Sequence, residues 1–134
     1  MKKVALIFIS LLVAAAANAG TPQELAAEVI KSTPIKGAAK VEATVATEAR
    51  YTFFVWYARG EGTVAKARTD TQRLVRATLQ ALVKQGVKPT EDWKFIHAHG
   101  AEISQGETRT TAHELGDASY NFNTDQIEFK PPKR

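Results

Sequence analysis

Hydrophobic and polar positions alternate with a period of two through one long stretch of the chain. From Val41 to Tyr57 the odd positions are mostly apolar or aromatic, while the even positions are mostly polar until Phe54 and Trp56. Such alternation, rich in β-branched and aromatic residues, predicts a β-strand whose odd face packs on a core. Because neither glycine nor proline interrupts the run, we predict one long strand here rather than a hairpin.

The period changes to that of an α-helix between Val64 and Gln85. Gly86 and Pro89 follow as helix-terminating residues, so the pattern predicts a long amphipathic helix that must bury one face. Charged residues, with Asp70 beside Arg73, occupy the opposite face. The predicted buried positions are Ala67, Thr71, Leu74, Val75, Thr78, Leu79, Leu82 and Val83.

Shorter signals complete the predicted secondary structure. Thr21 is a candidate N-cap, with Glu24 at capping-box spacing, for a short helix from Pro22 to about Ser32. The remaining predicted elements are a strand over 92–103, a strand over 109–122 that is bent or bulged at Gly116, and a terminal hairpin pairing 120–122 with 127–129. Together these elements predict a two-layer α+β domain, with a mostly antiparallel sheet of about four strands packed by the long helix and a short N-terminal helix.

The first nineteen residues have the layout of a secretory signal peptide. Lys2 and Lys3 precede an apolar run from Val4 to Ala17, and alanines at 17 and 19 provide small residues at a cleavage site. The run is too short for a typical membrane span. We therefore predict a cleavable signal over 1–19, one domain over 20–134, and no membrane span after cleavage.

Composition narrows the compartment and the class of partner. The chain contains no cysteine, so it has neither disulfides nor a lipoprotein anchor, and we predict a bacterial protein that is periplasmic or secreted. Its formal charge of +4 includes Lys2 and Lys3, and it falls to about +2 when the signal is removed. Such a weak positive charge does not favour nucleic acid as a partner.

The aromatic end of the long strand is the first candidate binding site. Apolar groups lie on both predicted faces there, so Phe54 and Trp56 need a cover, either the N-terminal helix or another protein. We predict that they anchor an envelope or secreted protein partner, with Arg73 and Arg76 as the polar rim. The predicted function is that of a small exported, non-enzymatic binding or accessory protein, part of a secretion, conjugation or surface assembly, or an inhibitor.

A histidine pair supports an alternative function. His97 and His99 would point to the same side of a strand, and His113 on the next strand could supply a third ligand for zinc or copper. Without this metal site we expect no cofactor. Ser104 and Ser119 lack the sequence context of a catalytic nucleophile, so no enzyme is predicted. A deep pocket lined by His113, Glu114 or Asp117 would instead favour a hydrolase or isomerase.

Overall fold

Two helices and five strands follow one another in the computed structural model, which describes residues 20–47 and 50–133. The predicted signal peptide lies outside these residues. No helix in the described ranges is long and apolar enough to cross a bilayer. In chain order the elements are α1 (Pro22–Ser32), β1 (Ala38–Thr47), β2 (Arg50–Ala58), α2 (Val64–Lys84), β3 (Phe95–Gln105), β4 (Thr110–Asn121) and β5 (Gln126–Lys130).

The five strands form one mixed sheet in the order β1-β2-β3-β4-β5. Strands β2 and β3 are parallel, whereas the other three neighbouring pairs are antiparallel. A parallel pair requires a crossover connection, and α2 lies in the segment that joins β2 to β3. The α+β class predicted from the sequence is confirmed, with five strands in place of about four.

The predicted single strand over 41–57 is wrong, because β1 and β2 pair with each other as an antiparallel hairpin. Across the middle of the hairpin, odd-numbered residues pair with odd-numbered ones and even with even, so the odd residues of both strands face the same side of the sheet. The alternation therefore continues unchanged from one strand to the other, and it cannot distinguish a hairpin from a longer strand. The pairs in question are Val41 with Val55, Ala43 with Phe53, and Val45 with Tyr51.

Both helices lie on the face of the sheet that carries these odd residues. The helix α1 has the predicted capping box at Thr21 and Glu24, and it lies beside Ala43 and Val45 of β1. The helix α2 passes close over β3, where a Cβ built at Gly100 would lie 2.9 Å from Ala67 Cβ. One hydrophobic core therefore occupies the space between the two helices and this face.

The buried face of α2 differs from the prediction at Val83 and Asp70. Val83 is 58% exposed, whereas Asp70 is only 5% exposed. At 3.6 residues per turn, Val83 lies roughly 135° from the centre of the buried stripe, and Asp70 lies at its margin. Asp70 is buried with partners, since its Oδ2 accepts a hydrogen bond from Tyr57 Oη at 2.6 Å and lies 3.3 Å from Lys66 Nζ.

The later strands match the prediction more closely. Strand β3 begins at Phe95 rather than 92, because backbone hydrogen bonds from Asp92 to Lys88 and from Lys94 to Pro89 form a turn first. Trp93 lies in that turn with a φ of 51° and is 66% exposed. The β4–β5 hairpin and the irregularity near Gly116 are both confirmed.

Candidate binding groove on the open sheet face

The face of the sheet opposite the helices has no cover among the described residues. Along β2, burial alternates: Phe53 and Val55 are fully buried on the helix side, and Phe54 and Trp56 are partly buried on the other side. The N-terminal helix, which the sequence offered as one possible cover for these two rings, packs on the opposite face. We call the uncovered side the open face.

Four rings form a continuous row across the open face. The ring centroids are separated by 6.0 Å from His97 to His99, 5.2 Å from His99 to Phe54, and 5.9 Å from Phe54 to Trp56. The row crosses from β3 to β2 because the parallel register places Phe54 beside His99. Trp56 Nε1 donates a hydrogen bond to Glu42 Oε2 at 2.7 Å, which fixes the indole toward β1. The rings shield one another, so they are partly buried without any covering element.

A groove of about 330 Å³ lies beside this row, over β3. Its floor consists of small residues, Gly100 and Ala101, while Phe54 and Trp56 form one wall. The opposite side is lined by Ala112 and by two carboxylates, Glu114 and Asp117. The groove is therefore aromatic on one side and acidic on the other.

A β-bulge brings Glu114 to the groove. Gly100 pairs with Gly116, but the next residue of β3, Ala101, pairs with Glu114. The extra residue, Leu115, is buried on the helix side. One added residue reverses the side of the sheet to which each earlier side chain of the strand points. Glu114 consequently shares the open face with Asp117, three positions later in the chain.

Most of the donor groups around the groove already have acceptors. His99 Nδ1 lies 2.6 Å from Asp117 Oδ1, and the indole N–H of Trp56 is bonded to Glu42. The pKa of His97 is lowered from its usual value, first by burial and then by the nearby His99. The Glu114 carboxylate has no hydrogen-bond or ion-pair partner among the described residues. The polar atoms left for a ligand are thus mainly carboxylate oxygens.

The four residues predicted to bind a partner do not form one surface. Phe54 and Trp56 lie together on the open face, but Arg73 and Arg76 lie on the exposed side of α2, in the other layer. Arg73 instead donates a hydrogen bond from Nη1 to the carbonyl oxygen of Pro34 at 3.2 Å, in the segment between α1 and β1. The predicted rim of arginines is therefore separated from the aromatic pair by the sheet and the helix.

The three predicted metal ligands are also divided between the two faces. His97 and His99 share the open face as expected. Glu102 lies on the helix side, where its carboxylate accepts a hydrogen bond from Gly60 N. His113 pairs with Glu102 and therefore faces the helix side as well. Among residues 20–47 and 50–133, no three His, Asp or Glu side chains are grouped as metal ligands. The structure supplies the predicted pair without the predicted third ligand.

Glu114 and Asp117 were considered from the sequence only as catalytic groups, and their role in shaping the groove was missed. The hydrolase hypothesis asked for a pocket lined by such residues, and the groove includes these two but not His113. His99 with Asp117 has the geometry of an oriented base. Of the described residues that line the groove, none is a serine, threonine or lysine.

Comparison of the chain with protein-family models, with curated proteins and with solved structures finds no match.

Proposed function

We propose that this is an exported, non-enzymatic binding protein that acts by contacting another protein of the bacterial cell envelope, in the periplasm or after secretion. The observation that carries the proposal is the row of rings formed by His97, His99, Phe54 and Trp56 on a sheet face that no described element covers. A role within a secretion, conjugation or surface assembly, or as an inhibitor, is consistent with such a surface.

The character of the open face supports a protein partner. Tryptophan and other aromatic residues contribute a large share of the energy of protein interfaces, usually near the centre of the contact. Here Phe54 and Trp56 lie on a central strand of the sheet, with polar residues such as Thr52 and Ser119 on the same face. The groove of about 330 Å³ is at the lower limit for a small-molecule pocket and suits a single side chain better.

Export is consistent with the way the domain begins. The side chain of Thr21 accepts a hydrogen bond from Glu24 N, and the Glu24 carboxylate accepts one from Thr21 N. Two amides at the start of α1, those of Thr21 and Glu24, are thus capped within the domain itself. Cleavage after Ala19 would leave this capping box intact.

The binding face can be tested by site-specific photocrosslinking in cells. A photoreactive amino acid at Thr52, on the open face, should yield a discrete adduct with one envelope protein, to be identified by mass spectrometry. The same residue at Arg76, on the exposed side of α2, is the matched control and should not yield that adduct. The identified protein is then purified and its affinity for the mature domain is measured.

Two substitutions decide whether the aromatic pair carries the interaction. Trp56→Ala should weaken binding of the purified partner by about tenfold or more, as expected for a central aromatic residue. Trp93→Ala removes the same kind of side chain from an exposed turn and should leave the affinity unchanged. Equal effects of the two substitutions, or an adduct from Arg76 alone, would contradict the proposed binding face.

Localisation has its own test. Osmotic-shock fractionation should release the protein from the cell, and mass spectrometry of the released chain should show Gly20 as the first residue. Recovery of the chain from the cytosol with residues 1–19 attached would contradict export.

A further inference from the structure

The groove beside the ring row has chemistry that favours a cation. Its two ionisable groups with free oxygens are Glu114, which has no partner among the described residues, and Asp117, which uses only Oδ1 toward His99. The described residues that line the groove include no lysine and no arginine. The acidic character is confined to the groove, since the chain as a whole is positively charged, with a formal net charge of +4.

The opposite wall adds a second attraction for positive charge. The faces of tryptophan and phenylalanine rings carry negative electrostatic potential and attract cations placed over them. Phe54 and Trp56 are parallel to within 6° and both border the groove. A flat cation can therefore lie against the rings while its edge meets the carboxylates.

We infer that the groove binds an arginine side chain of the protein partner, held between the Trp56 and Phe54 rings and the carboxylates of Glu114 and Asp117. Arginine fits better than lysine because the guanidinium group is planar, stacks on aromatic rings and donates hydrogen bonds along its edge. The small side chains of Ala101 and Ala112 leave the space that its aliphatic part needs.

Lysines near the groove limit the attraction without filling it, among them Lys133, which lines a neighbouring pocket together with Glu114. Lys130 pairs with Asp117 in the β4–β5 ladder, and no ion pair forms between their side chains. Lys40 is 3.6 Å from Glu42 and is occupied on the β1 side of Trp56. Of the two carboxylates of the groove, Glu114 is therefore the one that has no ion-pair partner among the described residues.

The test uses the whole mature domain and two small peptides. The probes are acetyl-Gly-Arg-Gly-amide and the same peptide with citrulline, which keeps the shape of arginine and removes its charge. The readout is the indole N–H resonance of Trp56 in ¹H–¹⁵N spectra, with that of the exposed Trp93 as an internal control. The arginine peptide should shift the Trp56 signal saturably at millimolar concentration, and the citrulline peptide should not.

Charge-removing variants locate the binding group. Glu114→Gln should weaken binding of the arginine peptide about fivefold or more, since it removes a charge and keeps the shape. Glu128→Gln is the matched control, because Glu128 lies on the same face opposite Ser119 and outside the groove. Binding should also weaken as the salt concentration rises.

This inference rests on the proposed function, and the outcomes keep the two apart. Equal binding of the arginine and citrulline peptides, or no shift of Trp56 with either up to about 10 mM, overturns the arginine site. If the Thr52 adduct and the effect of Trp56→Ala persist, the proposed function survives that failure. A Trp56 signal that moves with protein concentration alone identifies a second copy of the chain as the occupant and also overturns the inference.

Discussion

Removing one buried hydroxyl group should measurably destabilise the domain. Tyr57 Oη donates a hydrogen bond of 2.6 Å to Asp70 Oδ2, and both side chains are buried between α2 and the sheet. Burial, together with this carboxylate, raises the pKa of Tyr57, so the phenol remains a donor at all moderate pH values. Tyr57→Phe removes the donor, keeps the ring, and leaves Asp70 with Lys66 as its remaining charged partner.

The expected cost follows from the charge and the burial of the acceptor. A hydrogen bond to a charged group contributes about 1.5–3 kcal/mol to the free energy of unfolding, and more is lost when the partner stays buried. Lys66, at 3.3 Å from Asp70, compensates in part. We expect a loss of about 2 kcal/mol, which for a domain of this size corresponds to a decrease of roughly 8 °C in Tm.

Tyr120 provides a matched control within the same chain. Its hydroxyl donates to Asp125 Oδ1 at the same 2.6 Å, but Asp125 is exposed in the β4–β5 turn. Water can replace the lost donor there, so Tyr120→Phe should cost no more than about 0.5–1 kcal/mol. Thermal and urea unfolding of the mature protein, followed by circular dichroism, measure both variants.

The comparison between the two variants is decisive. Equal losses for Tyr57→Phe and Tyr120→Phe would refute the argument, because the bonds have the same length and chemistry and differ in the burial of the acceptor. A gain in stability for Tyr57→Phe would show that Asp70 is better served by Lys66 alone.

Three further predictions concern the core, the histidines and metal binding. Gly100→Ala should destabilise the domain by about 1–3 kcal/mol in urea unfolding, because its Cβ would lie 2.9 Å from Ala67 Cβ. The pKa of His97 is lower in the folded protein than in the unfolded chain. As the pH decreases below about 6.5, His97 therefore takes up a proton more readily in the unfolded chain, and Tm should fall. His97→Gln should reduce that acid-side loss, and an unchanged pH profile would contradict the assignment. Zinc or copper titration followed by tryptophan fluorescence should reveal no site tighter than about 10 µM, because His113 lies on the other face from His97 and His99; tighter binding that His97→Ala abolishes would contradict this.

Local signals in the sequence predicted the helices well. The Thr21 capping box and the residues Gly86 and Pro89 act within one or two turns of the chain, so the bounds of α1 and α2 agree with the structure within a residue. The β1–β2 hairpin could not be predicted in the same way. Its odd-to-odd register keeps the alternation unbroken, and no glycine or proline marks the turn.

The groove was beyond sequence analysis for a different reason: its walls come from strands that are distant in the chain. Trp56 reaches Ala101 through parallel pairing, and Ala101 reaches Glu114 through a bulge. If β4 alternated without a bulge from Asp117 back to Glu114, the side chain of Glu114 would face the helix side. The bulge shifts the register by one residue and places Glu114 on the open face. The glycine at 116, with a φ of 121°, is the one local sign of the irregularity, and the sequence indicated a bend there. The acidic wall of the groove therefore depends on the same bulge that directs Leu115 into the core, so the binding chemistry of the open face and the packing of the opposite face are set by a single irregularity in β4.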